Sequence, residues 1–171
     1  MAVVDTSSLE FVIEPLTAQA FKPFGQVTDI ASGERRNRIA GAYERTVQAN
    51  EPRLWISTVL NAVQLPLSIQ KLERHPYSAQ SFMPINGCAY VVVVCQSDGL
   101  GQPELASLRG FIATPGQGVT YSRNVWHHGL SVLQAPAYFV VCMSFTVEGG
   151  DDIFMPLGVP VQLVSKGAHL E

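Results

Sequence analysis

A chain of 171 residues, 47% apolar and 15% charged with a net charge of −3, has enough apolar material for a single core and no need of a second domain. That charge balance excludes a nucleic-acid binder built on a basic face. Arg35-Arg36-Asn37-Arg38 is the only cationic cluster, and Gly33 and Glu34 beside it mark a solvated loop.

No apolar run approaches the ~20 residues needed to cross a bilayer, and the start lacks the basic and apolar pattern of a secretion signal. A cytoplasmic protein with no membrane or nucleic-acid partner is therefore expected. Cys88, Cys95 and Cys142 are odd in number and lie beside apolar segments, which predicts buried thiols rather than a disulfide frame.

In chain order, residues 9–165 are expected to form one domain, with 1–8 and 166–171 as loose ends. Phe11-Val12-Ile13 reads as a short strand, and Leu16 to Phe21 as a brief helix opened by Thr17. A strand over Phe24 to Ile30 precedes a polar loop from Ala31 to Arg38. Arg53 to Leu60 is rich in β-formers, and Leu67 to Glu73 leads into the first polar motif.

Ser81-Phe82-Met83 and Ala89 to Cys95 flank Pro84-Asn86-Gly87, and Asn-Gly predicts a hairpin there. Val91 to Val94 is expected to be buried on both faces. Ser97 to Leu108 reads as a loop. Further strands follow at Gly110 to Thr114, Gly118 to Tyr121, His127 to Leu133 and Tyr138 to Phe145. A Pro/Gly-rich tail after Gly149 holds one more apolar piece, Val159 to Val164. Many short strands between Gly/Pro turns, with no long helical period, predict an all-β barrel or sandwich.

Chemistry concentrates in two segments. In Leu72-Glu73-Arg74-His75-Pro76, Glu73 and His75 lie two apart and share one face of a strand, with Gln80 after a short turn. In Gly116 through His128, His127 and His128 are adjacent, so a strand points them opposite ways. His127 is read as facing inward, and His128 towards a neighbouring strand or subunit. Arg74 alternates with the inward pair and should point outward. Trp126 is read as a rim or core aromatic, and His169 as a tail residue without a chemical role.

The spacing can be laid on the cupin signature. Glu73, His75, Gln80 and Gly87 fall on its first motif, H-x-H-x4-E-x6-G. Gly116, Ser122, Asn124, His127 and Ser131 fall on its second, G-x5-P-x-G-x2-H-x3-N. Asn124 is acceptable where a left-handed turn residue is needed. The register holds while the residue types differ. A metal site would therefore offer Glu73, His75, Gln80 and His127, a mixed oxygen and nitrogen set suited to Mn, Fe, Ni or Zn. The duller alternative is four groups that only hydrogen-bond to each other.

The runs Leu65-Pro66-Leu67, Glu73-Arg74-His75-Pro76, Gln80-Ser81-Phe82-Met83-Pro84, Leu108-Arg109-Gly110-Phe111-Ile112 and Arg123-Asn124-Val125-Trp126-His127-His128 resemble the ureidoglycolate lyase family, formerly called ureidoglycolate hydrolase. The resemblance runs from about Leu16 to Phe145. It implies a cupin-type double-stranded β-helix barrel, a homodimer, and cleavage of ureidoglycolate to glyoxylate and urea within purine breakdown through allantoin.

Departures from the family pattern fall at polar positions. An Asp-Arg pair is replaced at Val141-Cys142-Met143, an Asn-Asn-Gly-like segment at Ile39-Ala40-Gly41, an Arg around Leu60, and a Pro at Gly129. Losing an arginine matters because a guanidinium is the natural bidentate partner of a carboxylate.

Under this reading His75, His127 and Glu73 are the catalytic groups. Gln80 and Tyr121 orient the small-molecule substrate, and His128 and Met143 lie beside it. Arg38, Arg45, Arg74 or Arg123 could replace the lost cation. Two other readings stay open. One is a relative acting as lyase, isomerase or cyclase on a larger, more apolar molecule, with Ile39, Cys142 and Met143 lining its pocket. The other is a non-catalytic barrel that binds a small ligand or regulates a partner.

Overall fold

The structure, a computed structural model, describes residues 8–166. Most of the expected loose ends, and His169, lie outside the described residues.

Among the described residues, thirteen strands form two sheets, joined by one short helix and two 3-10 turns. In chain order the elements are β1 (Leu9–Val12), β2 (Glu14–Pro15), α1 (Ala18–Phe21), β3 (Gly25–Asp29), β4 (Glu51–Val59), β5 (Leu67–Arg74), β6 (Gln80–Pro84), β7 (Tyr90–Ser97), β8 (Pro103–Ala113), β9 (Gln117–Tyr121), β10 (Trp126–His127), β11 (Ser131–Val132), β12 (Ala137–Phe145) and β13 (Ile153–Val164). The larger sheet runs β1-β13-β5-β10-β7-β8-β2, with β11 also on β7. The smaller runs β3-β9-β6-β12-β4. Only β1 with β13 and β2 with β8 are parallel. The result is the all-β, barrel-like architecture expected from the sequence. Thr17 caps α1, its side chain accepting from the Ala20 N–H at 3.1 Å.

Strand alternation makes two cores. Tyr90, Val92 and Val94 of β7 face inward between the sheets, against Phe82, Val119, Tyr121, Phe139 and Val141. Val91, Val93 and Cys95 point the other way, into a cluster with Ile69, Leu72, Trp126, Val161 and Leu163. The four-valine run is therefore buried on both faces. The larger sheet curls to close this second core, and at Gly110 even a Cβ would stand 2.7 Å from Leu163.

Several elements differ from the sequence reading. β6 and β7 do not form a hairpin: β6 pairs with β9 and β12, and β7 with β8, β10 and β11. The Asn86-Gly87 turn instead carries the chain from one sheet to the other. Gly87 adopts φ +63°, and the Asn86 amide bonds the Pro136 carbonyl and the Tyr138 N–H. A local turn signal specifies a reversal, but partner choice depends on which face each strand must bury.

Half of the expected loop at Ser97 to Leu108, from Pro103 onward, is the start of β8. A tight turn closes it onto β7, with Asp98 Oδ1 accepting from the N–H groups of Leu100 and Gln102. The single strand foreseen at His127 to Leu133 is two short ones, β10 and β11. The tail strand is longer than foreseen. β13 accommodates Pro156 and Pro160 because its pairing to β5 is interrupted between Pro156 and Val161.

Candidate active site

β5 and β10 position the site by alternation. Leu72 and Trp126 enter the second core, while Glu73 and His127 face the space between the sheets as a directly paired couple. Arg74 points away, as expected. Its guanidinium lies 5.1 Å over the Trp126 ring and bonds Asn124 Oδ1. Asn124 takes φ +64°, the left-handed turn residue that the spacing called for.

From the opposite sheet, β6 presents Gln80, paired with Tyr121 on one side and Met143 on the other. Gln80 therefore does not return alongside β5, because the turn after His75 crosses between sheets. The four groups nonetheless meet.

His75 Nε2 lies 3.0 Å from Gln80 Oε1, and the His75 and His127 rings are 5.0 Å apart. His127 Nδ1–H donates to the Val125 carbonyl at 3.1 Å, which leaves the lone pair on Nε2. That buried Nε2 has no hydrogen-bond partner and stands 3.4 Å from Glu73 Oε1. Tyr121 stacks on the His127 ring at 4.2 Å and 18°, fixing its plane. Gln80 Nε2 donates to Met143 Sδ at 3.6 Å. One ligand atom each from Glu73, His75 and His127 lies within 4.8 Å of the others.

On the far side of His75, Nδ1–H is shared between Asp152 Oδ1 at 3.0 Å and the Asp151 carbonyl at 3.2 Å. Thr146 anchors this loop through its backbone N–H and hydroxyl to the Asp151 carboxylate.

The protonation states follow from these contacts. Burial pushes His127 below its ordinary value, against the pull of Glu73. Burial also works to lower His75, but the Asp152 carboxylate and the Asp151 carbonyl outweigh it and raise the imidazole. Burial works to raise Glu73, and the neighbouring imidazoles outweigh it. Of the two, His127 at 3.4 Å acts on Glu73 more strongly than His75 does. Two neighbouring imidazoles are thus pushed in opposite directions, His75 up and His127 down.

Tyr121, pushed well up by burial, stays a neutral phenol. His128 points away from His127, its Nδ1 3.3 Å from the Lys71 carbonyl.

Asp152 was not singled out from the sequence. An acidic pair after Gly149-Gly150 was a visible signal, but its partner becomes legible only from register. Ile153 pairs with Arg74, so the preceding residue falls beside His75. The greasy pocket imagined from Ile39, Cys142 and Met143 does not form. Met143 turns inward and is buried, whereas Cys142, one residue out of phase, faces the other side of β12. Ile39 precedes a 3-10 turn, Ala40–Tyr43, that packs outside Thr120.

A cavity of about 200 Å3 between Lys71, Glu73, His127, His128, Gly129 and Phe154 reaches two of the four groups, Glu73 and His127, but not His75 or Gln80. It holds roughly seven waters at ~30 Å3 each, room for a compact solute. A larger hollow near Gln48, Asn50, Tyr77 and Thr146 contains none of the four converging groups.

The family model described as ureidoglycolate lyase matches residues 8–155. The chain belongs to the ureidoglycolate lyase family. A ureidoglycolate lyase from Brucella anthropi is 41% identical over 138 residues, covering 76% of this chain and 80% of that one. Another from Mesorhizobium japonicum is 39% identical, covering 80% and 85%. Among solved structures, a dTDP sugar isomerase from Desulfovibrio desulfuricans is similar at a TM-score of 0.47 and 16% identity, over 78% of this chain and 84% of that one. Family membership fixes the scaffold, while the site must be argued from its own geometry.

Proposed function

We propose that this protein is a carbon–nitrogen lyase that splits ureidoglycolate into glyoxylate and urea, using His127 as base and His75 as acid. One observation carries the reading: two imidazoles 5.0 Å apart are pushed in opposite directions by different surroundings, His75 up beside Asp152 and His127 down by burial. Cleavage needs both. The hydroxyl proton passes to His127 Nε2, and the C–O bond becomes a carbonyl. The C–N bond breaks with its electron pair on nitrogen, which takes the proton of His75 Nε2.

Glu73, 3.4 Å from His127 Nε2, stabilises the imidazolium that forms there. Asp152 keeps the second proton on His75 Nδ1, and Gln80 Oε1 holds the transferable one until substrate nitrogen replaces it. Tyr121 and Met143 brace His127 and Gln80. After release, solvent takes the proton from His127 and returns one to His75.

Incubating purified protein with ureidoglycolate and detecting glyoxylate tests the reading. No turnover, with or without added divalent ions, would sink it. Formation of a homodimer, implied by the family resemblance, belongs to the same proposal and is read by analytical ultracentrifugation.

The donor set also fits a divalent cation of the Mn, Fe, Ni or Zn class. The bare His127 lone pair and the Glu73 oxygen stand at a separation close to the roughly 3.4 Å between two ligands of one tetrahedral ion. Glu73 and His127 would hold it, joined by His75 only if its Nε2 gave up the Gln80 amide oxygen. When bound it would supply Lewis acidity to a substrate oxygen. Both His75 nitrogens are already engaged, by Asp152 and by Gln80, and the His127 lone pair cannot serve a metal and a substrate proton together. Exhaustive chelation is therefore expected to leave turnover intact. Loss on chelation with recovery on adding one of these ions would replace the acid/base pair by a metal site.

A further inference from the structure

Ureidoglycolate is an anion, and its carboxylate would enter a site that already holds Glu73. His75 is already committed to Asp152 and Gln80, so a further cation must offset that repulsion. All eleven Lys and Arg side chains fall within the described residues, so the search can be completed.

Arg45 donates to the Ala49 carbonyl, and Arg123 to that of Pro76. Arg53 pairs with Glu51, Arg74 bonds Asn124, and Arg109 grips Glu14 with two nitrogens. Lys22, Arg35, Arg36 and Arg38 lie on residues 22–38, and Lys166 follows β13. Lys71 is the only Lys or Arg among the residues that line the cavity, so Arg38, Arg45, Arg74 and Arg123, the replacements suggested by sequence, do not supply its cation.

Lys71 remains. It lies two residues before Glu73 on the same face of β5, opposite Pro156 as Glu73 is opposite Phe154. Its Nζ sits 5.2 Å over the Phe154 ring, which keeps the ammonium at the wall of the 200 Å3 cavity shared with Glu73 and His127. Among the described residues it has no ion-pair partner.

We propose that Lys71 is the specificity-determining residue of this site, binding the substrate carboxylate at the cavity mouth so that the neighbouring hydroxyl faces His127 Nε2. The inference rests on the lyase reading above and deepens it. It assigns the site to small 2-hydroxy carboxylates rather than to neutral carbinols. Lys71 touches only the carboxylate, which gains no charge during C–N cleavage, so its contribution falls on binding rather than on the chemical step.

The test uses the full chain with Lys71→Met, which keeps the apolar stem, and Lys71→Arg, which keeps the charge. With ureidoglycolate, Lys71→Met is expected to raise KM about tenfold, since the group is exposed and screened, and to leave kcat within about twofold. Lys71→Arg should restore most of the loss.

A second readout needs no turnover. By calorimetry, glycolate should bind wild type better than its neutral amide, glycolamide, and Lys71→Met should erase the preference. An unchanged KM in Lys71→Met, or equal or absent binding of the two probes by wild type, overturns the proposal. Lys71-dependent preference for glycolate in a protein that does not cleave ureidoglycolate would sink the lyase reading and leave this one standing. Turnover with an indifferent Lys71→Met would do the reverse.

Discussion

The two faces of β5 and β10 form the sharpest contrast in the molecule. On one face Leu72 and Trp126 are packed into an apolar cluster with Ile69, Val93 and Leu163. On the other, Glu73 and His127 sit between the sheets with an imidazole, an amide and a phenol ring around them. Burial is deep on both sides for Leu72, Trp126 and His127, each at most 1% exposed, while Glu73 is partly open to the cavity. What differs is chemistry. Each face leaves one buried nitrogen without a hydrogen bond, the inert Trp126 indole N–H on the apolar side and the basic His127 Nε2 on the polar side. An unpaired buried acceptor costs about 1–3 kcal/mol, and the second core helps to offset that cost. Stability and chemistry are thus carried by alternate residues of the same strands.

If that division holds, single substitutions one residue apart should separate the two properties. The largest effect is expected at His127. His127→Ala removes the base and should lower kcat roughly 10²–10⁴-fold while the protein still unfolds cooperatively. Retained turnover would remove His127 from the mechanism. Its neighbour across the strand should behave oppositely. Leu72→Ala deletes fully buried methyl groups and should cost about 2–5 kcal/mol in urea unfolding, with kcat per folded molecule within about twofold. Comparable losses of kcat in both variants would show that the two faces are not independent.

The contrast also explains what could be read from the sequence. Alternation is local, so the two-residue step from Glu73 to His75, the outward Arg74 and the opposite facing of His127 and His128 were all legible. So were the left-handed turn at Asn124 and the cap at Thr17. Sheet membership is not local. Asn86-Gly87 has the chemistry of a hairpin turn, yet β6 and β7 join different sheets because each has its own partners. β8 was hidden because its exposed half, with Glu104 and Ser107, looks like a loop until β7 is set beside it. Asp152 and Lys71 were missed for a related reason. Each acquires its place from the β13–β5 register, which brings residue 152 to His75 and Phe154 beneath the Lys71 ammonium.

The opposed shifts of the two imidazoles give a third way to sharpen the comparison. His127 is lowered and must be neutral to accept a proton, so its limb of the kcat/KM profile should fall on the acid side of the ordinary histidine value. His75 is raised and must be charged to donate, so activity should decline on the alkaline side of that value. The profile is a bell. Asp152→Asn removes the strongest group that raises His75, so the alkaline limb should move to lower pH while the acid limb stays. Turnover at the optimum should drop about 10–100-fold, as for other groups that orient an active imidazole. An unmoved alkaline limb would separate Asp152 from the acid.

The smallest effect is expected far from the cavity, where β2 is tied to β8 by Glu14 and Arg109. The two guanidinium contacts, at 3.0 and 2.6 Å, hold the Glu14 carboxyl below its usual range. A carboxyl lowered on folding contributes stability above its unfolded value near 4.5, and that contribution disappears as pH falls through the lower folded value. Because the pair is only partly buried, solvent screening limits it to ~0.5 kcal/mol. Glu14→Gln should therefore destabilise by about that amount at pH 7 and by nothing measurable once the carboxyl is protonated, with kcat unchanged throughout. Urea unfolding of both proteins at neutral and acid pH reads the difference. A deficit that persisted in acid would show that Glu14 acts by packing β2 against β8 rather than through its charge.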